Sequence, residues 1–240
     1  MLEMPILHRF DLVLFDLDGT LIETAPEICD AVNDTLQDLR LPEVESERVS
    51  DWIGHGTSEL LVQALAHAEK TSADAVRVAP DFAAAKDRFD RHYRQRCGTR
   101  SQLYPHVREV LQSLRASGVK LAVVTNKEAG YTRTVLDAHQ LAPLFDCVVS
   151  GDTFPVKKPD PRGVLSCLEQ FDVKAQRALF VGDSSIDVAT ARAAGVTVWA
   201  LPYGYNMGKP IQDCGPDRVI EDFSALMAIT AGLQKDLQTV

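Results

Sequence analysis

The sequence predicts an α/β fold: a doubly wound parallel sheet flanked by helices, with an all-helical segment inserted near its start. Three observations predict it. The run Leu12-Val13-Leu14-Phe15 is apolar without alternation, as in a strand buried on both faces of a parallel sheet. From about Gly98 onward, short apolar strands alternate with helical stretches, the rhythm of parallel βα units. Between these regions the apolar residues recur only at helical spacing. The chain therefore divides into a Rossmann-like core of residues 1–21 and 99–240 and a helical insert of residues 22–98.

The first strand ends in Asp16-Leu17-Asp18-Gly19-Thr20. Side chains alternate along a strand, so Asp16 and Asp18 share one side, and Gly19 lets the backbone turn out of the sheet. Two carboxylates that close disfavour each other's ionised form, which implies a metal ion, a proton or both. Asp-Gly-Thr alone also suits an ordinary turn. Thr24 and Glu27 have capping-box spacing, and Ile28, Val32, Leu36 and Leu39 continue a helix that Leu41-Pro42 ends. Further helices are expected at about Ser46–Trp52, Thr57–Lys70 and Pro80–Arg96, with the Ala-rich stretch Ala73–Ala85 as a connection.

Beyond Gly98 a helix over Val107–Leu114 stops at Gly118, and Lys120–Val124 is a strand ending in Thr125-Asn126. A helix at about Gly130–Ala138 leads to the strand Asp146–Val149. The loop Gly151–Pro161 follows, with Lys158 near its end. A helix across Val164, Leu165 and Leu168 precedes the strand Ala178–Val181, which ends in Gly182-Asp183-Ser184-Ser185-Ile186-Asp187. Ser184 caps the next helix, Gly195 closes it, and Val196–Leu201 is a further strand.

Composition narrows the classes of function. The formal charge of −9 across 240 residues, with no basic stretch, argues against nucleic acid or an anionic membrane as partner. No apolar run approaches the roughly 20 residues of a membrane span, and Met1–Arg9 lacks the pattern of an export signal. Cys29, Cys97, Cys147, Cys167 and Cys214 are odd in number and scattered, as expected of reduced thiols in a cytoplasm. A small molecule is the expected partner.

In a doubly wound sheet, ligands bind beyond the carboxyl ends of the strands, and every polar candidate falls there. Asp16 and Asp18 follow the first strand and Thr125 and Asn126 the second, Lys158 lies in the loop after the third, and Asp183 and Asp187 follow the fourth. Taken singly, Thr125 is a strand-end hydroxyl, Lys158 a solvated charge and Asp183 a helix cap. Their arrival at one rim favours a site.

These four motifs, in this order, resemble those of the haloacid dehalogenase superfamily. Ala25-Pro26, Trp52-Ile53-Gly54-His55-Gly56, Val124-Thr125-Asn126-Lys127 and Tyr203-Gly204-Tyr205-Asn206 are most similar to its bacterial phosphoglycolate phosphatases. The resemblance implies that residues 22–98 are a cap domain and that Asp16 is the nucleophile, forming an aspartyl-phosphate. It implies Asp18 as general acid and then base, with Leu17, Thr125, Asn126 and Lys158 around the phosphoryl group. Mg²⁺ is the implied cofactor, held by Asp16, the Asp18 backbone carbonyl and Asp183, with Asp187 in support. Four carboxylates against one Mg²⁺ and Lys158 leave a formal excess of one negative charge, which a proton on Asp18 relieves.

The resemblance thus implies a cytoplasmic, Mg²⁺-dependent phosphatase acting on a small phosphorylated metabolite, with monomer and homodimer both open. A sugar-phosphate mutase, a generalist phosphatase and a non-catalytic phosphate-binding protein are the alternatives, though no motif residue is lost. His55, between two glycines, reads as an exposed loop residue facing either solvent or substrate. Lys127 suits a substrate carboxylate or the surface. Trp52 suits the insert's core or a substrate contact. His8, His67, His92, His106 and His139 lack metal-ligand spacing.

Overall fold

The computed structural model describes residues 10–229. His8 and the outermost parts of the expected core range, 1–9 and 230–240, lie outside the described residues. In chain order, β1 (Leu12–Phe15) leads to a two-residue strand β2 (Ile22–Glu23) and then to α1 (Ala25–Asp38), α2 (Ser46–Ser50), α3 (Thr57–Glu69), α4 (Ala73–Arg77) and α5 (Phe82–Arg96). β3 (Gln102–Leu103) pairs antiparallel with β2, so the chain leaves and rejoins the core at neighbouring points. There follow α6 (Val107–Ala116), β4 (Lys120–Val124), α7 (Ala129–Ala138), β5 (Cys147–Val149), α8 (Arg162–Phe171), β6 (Ala178–Gly182), α9 (Ser185–Ala193), β7 (Thr197–Ala200) and β8 (Arg218–Val219).

The main sheet has six strands in the order β5-β4-β1-β6-β7-β8, with every pairing parallel. Strand order reverses at β1, whose neighbours β4 and β6 lie on either side, so the switch point of a doubly wound sheet falls at its carboxyl end. Phe15 is in register with Val123 and Val181, which places Asp16 just beyond both pairs. Alternate side chains feed opposite faces. Val13, Phe15, Leu121, Val123, Leu179 and Val181 join a cluster continuous with the helical insert, whereas Leu12, Leu14, Ala122, Val124 and Phe180 join a second cluster beneath α8 and α9.

Three local expectations change. Thr24 precedes α1 but makes no side-chain cap, and the paired Glu27 does not reach back to it. Tyr205 Oη instead accepts the Thr24 and Ala25 amides, freeing Thr24 Oγ1 to bond Asp18 and Glu27 to accept the amides of Gly98 and Ser101. The stretch Ala73–Ala85 holds the short helix α4, capped by Ser72 Oγ accepting the Ala75 amide. The strands β2, β3 and β8 carry only two residues each, too short for an apolar pattern. All five cysteines are free thiols. Among the described residues no helix is long and apolar enough to cross a membrane.

Candidate active site

The site begins where β1 ends. Asp16 donates its amide to Val181 O at 3.0 Å, which ties it to the end of β6 and leaves its carboxylate at the rim, only 7% exposed. Lys158 reaches the same point from the loop after β5. Its ammonium lies 2.8 Å from Asp16 Oδ1 and 2.6 Å from Asp187 Oδ1. Asn126 anchors that loop: its Oδ1 accepts the Lys158 amide at 2.8 Å, and its Nδ2 donates to Lys158 O at 3.0 Å and to Gly54 O of the insert at 2.8 Å. The Asn126 side chain therefore joins loop to insert.

Asp187 is fully committed. Its Oδ2 accepts from the amides of Asp183 and Ser184 and from Ser184 Oγ, completing a capping box at the start of α9, while Oδ1 takes Lys158. Ser184 is the expected cap. The acid four residues beyond Asp183 thus orients the lysine and the helix.

Asp183 lies in a cradle of small groups. Thr20 Oγ1 donates to its Oδ1 and the Tyr205 amide to its Oδ2. A Cβ on Gly19 would come within 2.4 Å of Oδ2, and one on Gly204 within 2.1 Å, so only glycine permits this close approach. Gly19 also has φ +86°, a conformation side-chain-bearing residues avoid.

Ligand oxygens of Asp16, Asp183 and Asp187 lie within 4.8 Å of one another, all buried. Burial, followed by the charge of Asp187, holds the Asp183 carboxyl well above the usual range. Burial also raises Asp16, against the opposing pull of Lys158, from 3.8 to about 7. No hydrogen bond is well aligned on Asp16 Oδ1 despite the short ion contact with Lys158. An oxygen-only donor set with excess negative charge fits a hard divalent cation.

A pH dependence follows, with its sign set by linkage. A carboxyl raised to about 7 keeps a proton in the folded, metal-free chain that the unfolded chain has lost, so stability falls as pH rises from about 4 to 7. A cation competes with that proton and binds more tightly as pH rises through the same window. The rise in Tm caused by MgCl₂ is therefore expected to be larger near pH 8 than near pH 5, as differential scanning fluorimetry can check. Equal rises at both pH values would place the cation elsewhere.

Asp18 faces the insert. Its Oδ1 accepts from Thr24 Oγ1 at 2.7 Å, and Lys127 Nζ lies 2.9 Å from Oδ1 and 3.2 Å from Oδ2. Lys127 is only 3% exposed, which excludes a surface role. Burial opposes its charge, but Asp18 and other nearby acidic groups outweigh this and raise its pKa. The charge count made from Lys158 alone must therefore include a second ammonium: four carboxylates and two lysines leave a formal −2, which one divalent cation neutralises.

Asp16, Asp18, Thr125, Asn126 and Lys127 line a cavity whose other wall is formed by Ile28, Ile53, Gly54, Gly56, Thr57 and Leu60 of the insert. Thr125 is buried, with Oγ1 accepting the Lys127 amide. Leu17 is buried, its carbonyl accepting the amides of Leu21 and Ile22. His55 is not brought to the cavity. It is exposed, beside Trp52, Glu59 and Met207 on an outer groove. Trp52 is half-buried against the core and near the ring of His67.

Sequence reasoning missed Thr20, Thr24, Thr57, Tyr93 and Tyr205. Tyr205 sits in a quoted motif and Thr57 at an expected helix start. Nothing in the spacing marks Tyr93, which meets Lys127 only in three dimensions.

The chain is similar to known proteins over most of its length. The family described as haloacid dehalogenase-like hydrolase matches residues 13–201. A phosphoglycolate phosphatase of Aliivibrio fischeri is 40% identical over 220 residues, covering 91% of this chain and 95% of its own. One from Haemophilus influenzae is 38% identical over 221 residues, covering 92% and 98%. The crystal structure of a predicted phosphoglycolate phosphatase from Haemophilus somnus is 35% identical and superposes with a TM-score of 0.87, covering 92% of this chain and 98% of that one. With the parallel sheet, the strand-end carboxylates and a family match that runs from β1 to just past β7, this chain belongs to the haloacid dehalogenase-like hydrolases.

Proposed function

We propose that the chain hydrolyses a small phosphate monoester, 2-phosphoglycolate, to glycolate and phosphate in the cytoplasm. The observation that carries this is the convergence of Asp16, Asp18, Lys127 and Thr125 on one cavity whose other wall is formed by residues of the insert. A wall that close suits a substrate of few atoms. Residues 22–98 act as a cap on a core of residues 1–21 and 99–240. Relatives at about 40% identity over nearly their whole length carry the substrate's name.

In this reading the ionised Asp16 carboxylate attacks phosphorus, and the bond to the substrate's ester oxygen breaks as Asp18 gives that oxygen its proton. The aspartyl-phosphate then opens when water attacks phosphorus. Asp18 takes the water's proton, the bond to Asp16 breaks, and both carboxyls return to their starting state. Lys158 holds Asp16 and balances charge on the phosphoryl oxygens, with Thr125 and the amides of Leu17 and Asn126 around them. Asp16, the Asp18 carbonyl and Asp183 would hold Mg²⁺, with Asp187 supporting. When bound, that ion supplies neutralisation of the phosphoryl charge.

The test is kcat/KM, measured by phosphate release, across 2-phosphoglycolate, glycerol phosphates, hexose phosphates and nucleotides. A preference of at least about 100-fold for 2-phosphoglycolate is expected, since a small cavity lined by the insert favours a substrate of few atoms over bulkier esters. Equal rates would make the enzyme a generalist phosphatase. Isomerisation of sugar phosphates with little phosphate released would make it a mutase.

A further inference from the structure

Lys127 is placed to serve Asp18. An ammonium has three donor hydrogens, and here all three have acceptors: Oδ1 and Oδ2 of Asp18, at 2.9 and 3.2 Å, and Tyr93 Oη. The same ammonium lies 5.0 Å from the centre of the Tyr93 ring, within cation–π reach. In this arrangement Lys127 has no donor left for a substrate carboxylate. Tyr93 is fully buried near the carboxyl end of α5, and Thr24, just before α1, binds the same Asp18 oxygen. α1 and α5 pack along each other with the start of α1 beside the end of α5, so one end of the helical pair grips the Asp18 carboxylate from two helices, directly through Thr24 and by way of Lys127 from Tyr93.

We propose that Lys127 is a positioning residue for Asp18, itself fixed by Tyr93, and that it does not recognise the substrate's carboxylate. The inference rests on the hydrolase reading above, in which Asp18 protonates the leaving oxygen and later deprotonates water. A buried lysine with one mobile partner would swing among rotamers, whereas two carboxylate oxygens and a phenol ring hold it to one. Asp18, 13% exposed at its side chain beside an open cavity, is thereby kept aimed at the point where the ester oxygen must leave.

The test uses Lys127→Met and Tyr93→Phe with three substrates: 2-phosphoglycolate, ethyl phosphate and p-nitrophenyl phosphate. The first two have poor leaving groups that need the acid, the third does not, and only the first has a carboxylate. If Lys127 positions Asp18, kcat/KM in Lys127→Met falls by about 100-fold for both alkyl esters but stays within about fivefold of wild type for the aryl ester. With the aryl ester, kcat and KM are expected to fall together, with a burst of p-nitrophenolate, because the water step still needs Asp18 as base. Tyr93→Phe, which keeps ring and volume, should show the same pattern at roughly a tenth of the size.

A loss confined to 2-phosphoglycolate would overturn the proposal and make Lys127 the carboxylate receptor. Equal losses on all three would overturn it in favour of a purely structural role. Wild-type kinetics in Tyr93→Phe would remove Tyr93 from it. Failure of wild type to release phosphate from any of the three would instead sink the hydrolase reading.

Discussion

Asp16→Asn is expected to abolish phosphatase turnover, by at least about 10⁴-fold, while leaving the chain folded. The amide has nearly the shape of the carboxylate, and Asp16 is almost wholly buried, so packing is retained. What is lost is the oxygen nucleophile, together with a ligand from the acidic cluster formed with Asp183 and Asp187. The stability readout should move the opposite way from the activity. Asp16 is raised to about 7 because burial and neighbouring acids penalise its charge, so a neutral amide relieves the folded, metal-free chain near neutral pH. A higher Tm without metal, no phosphate release and no acid-stable phosphoprotein after a pulse of substrate is the expected combination. Substantial turnover in Asp16→Asn would overturn covalent catalysis at this residue.

Lys158→Met should be the most destabilising change at the site. Lys158 is the buried cation between Asp16 and Asp187, and their carboxylates hold its pKa above the ordinary value against the cost of burial. Removing it leaves two buried carboxylates without their partner, a loss of about 3 kcal/mol, read as a fall in Tm of roughly 6–12 °C. The deficit should depend on pH. Without the ammonium, the folded chain binds protons more tightly than the unfolded chain does, so the variant's stability falls more steeply than wild type as pH rises. Unfolding in urea is expected to show a small deficit near pH 5 and a large one near pH 8. A deficit independent of pH would mean that lost packing, including the contact with the Phe180 ring, outweighs charge. Activity should fall by about 10³-fold even where the protein is folded, because the phosphoryl oxygens lose a preorganised cation.

Much of the core was legible because burial on both faces of a parallel strand admits few residue types. Leu12–Phe15, Lys120–Val124 and Ala178–Gly182 stand out for that reason, and the doubly wound topology then brings whatever follows them to one rim. The cap box at Ser184 was legible because it is closed within four residues. The same reasoning failed at Thr24 and Glu27, where the spacing is right but Tyr205, 181 residues beyond Thr24, accepts the Thr24 and Ala25 amides and the two side chains bond elsewhere. His55, flanked by glycines, reads as an exposed loop residue facing either solvent or substrate. Exposure is what the structure has, on the outer groove, while Gly54, Gly56 and Thr57 turn inward.

Local periodicity and short spacing mark β1 and β4 to β7, the helical insert and the strand-end groups Asp16, Asp18, Thr125, Asn126, Lys158, Asp183 and Asp187, whereas β2, β3 and β8 are too short to carry a pattern. Only the tertiary structure decided their partners. Asp187 is spent on Lys158 and a helix cap, Asn126 on joining loop to insert, and Lys127 on Asp18 and Tyr93. A buried charge takes whichever opposite charge or acceptor the packing brings within about 3 Å, and that neighbour comes from any point in the chain. Residues 18, 93 and 127 share no local pattern. They meet because α5 of the insert docks beside the end of β4, and that contact exists only in the folded molecule.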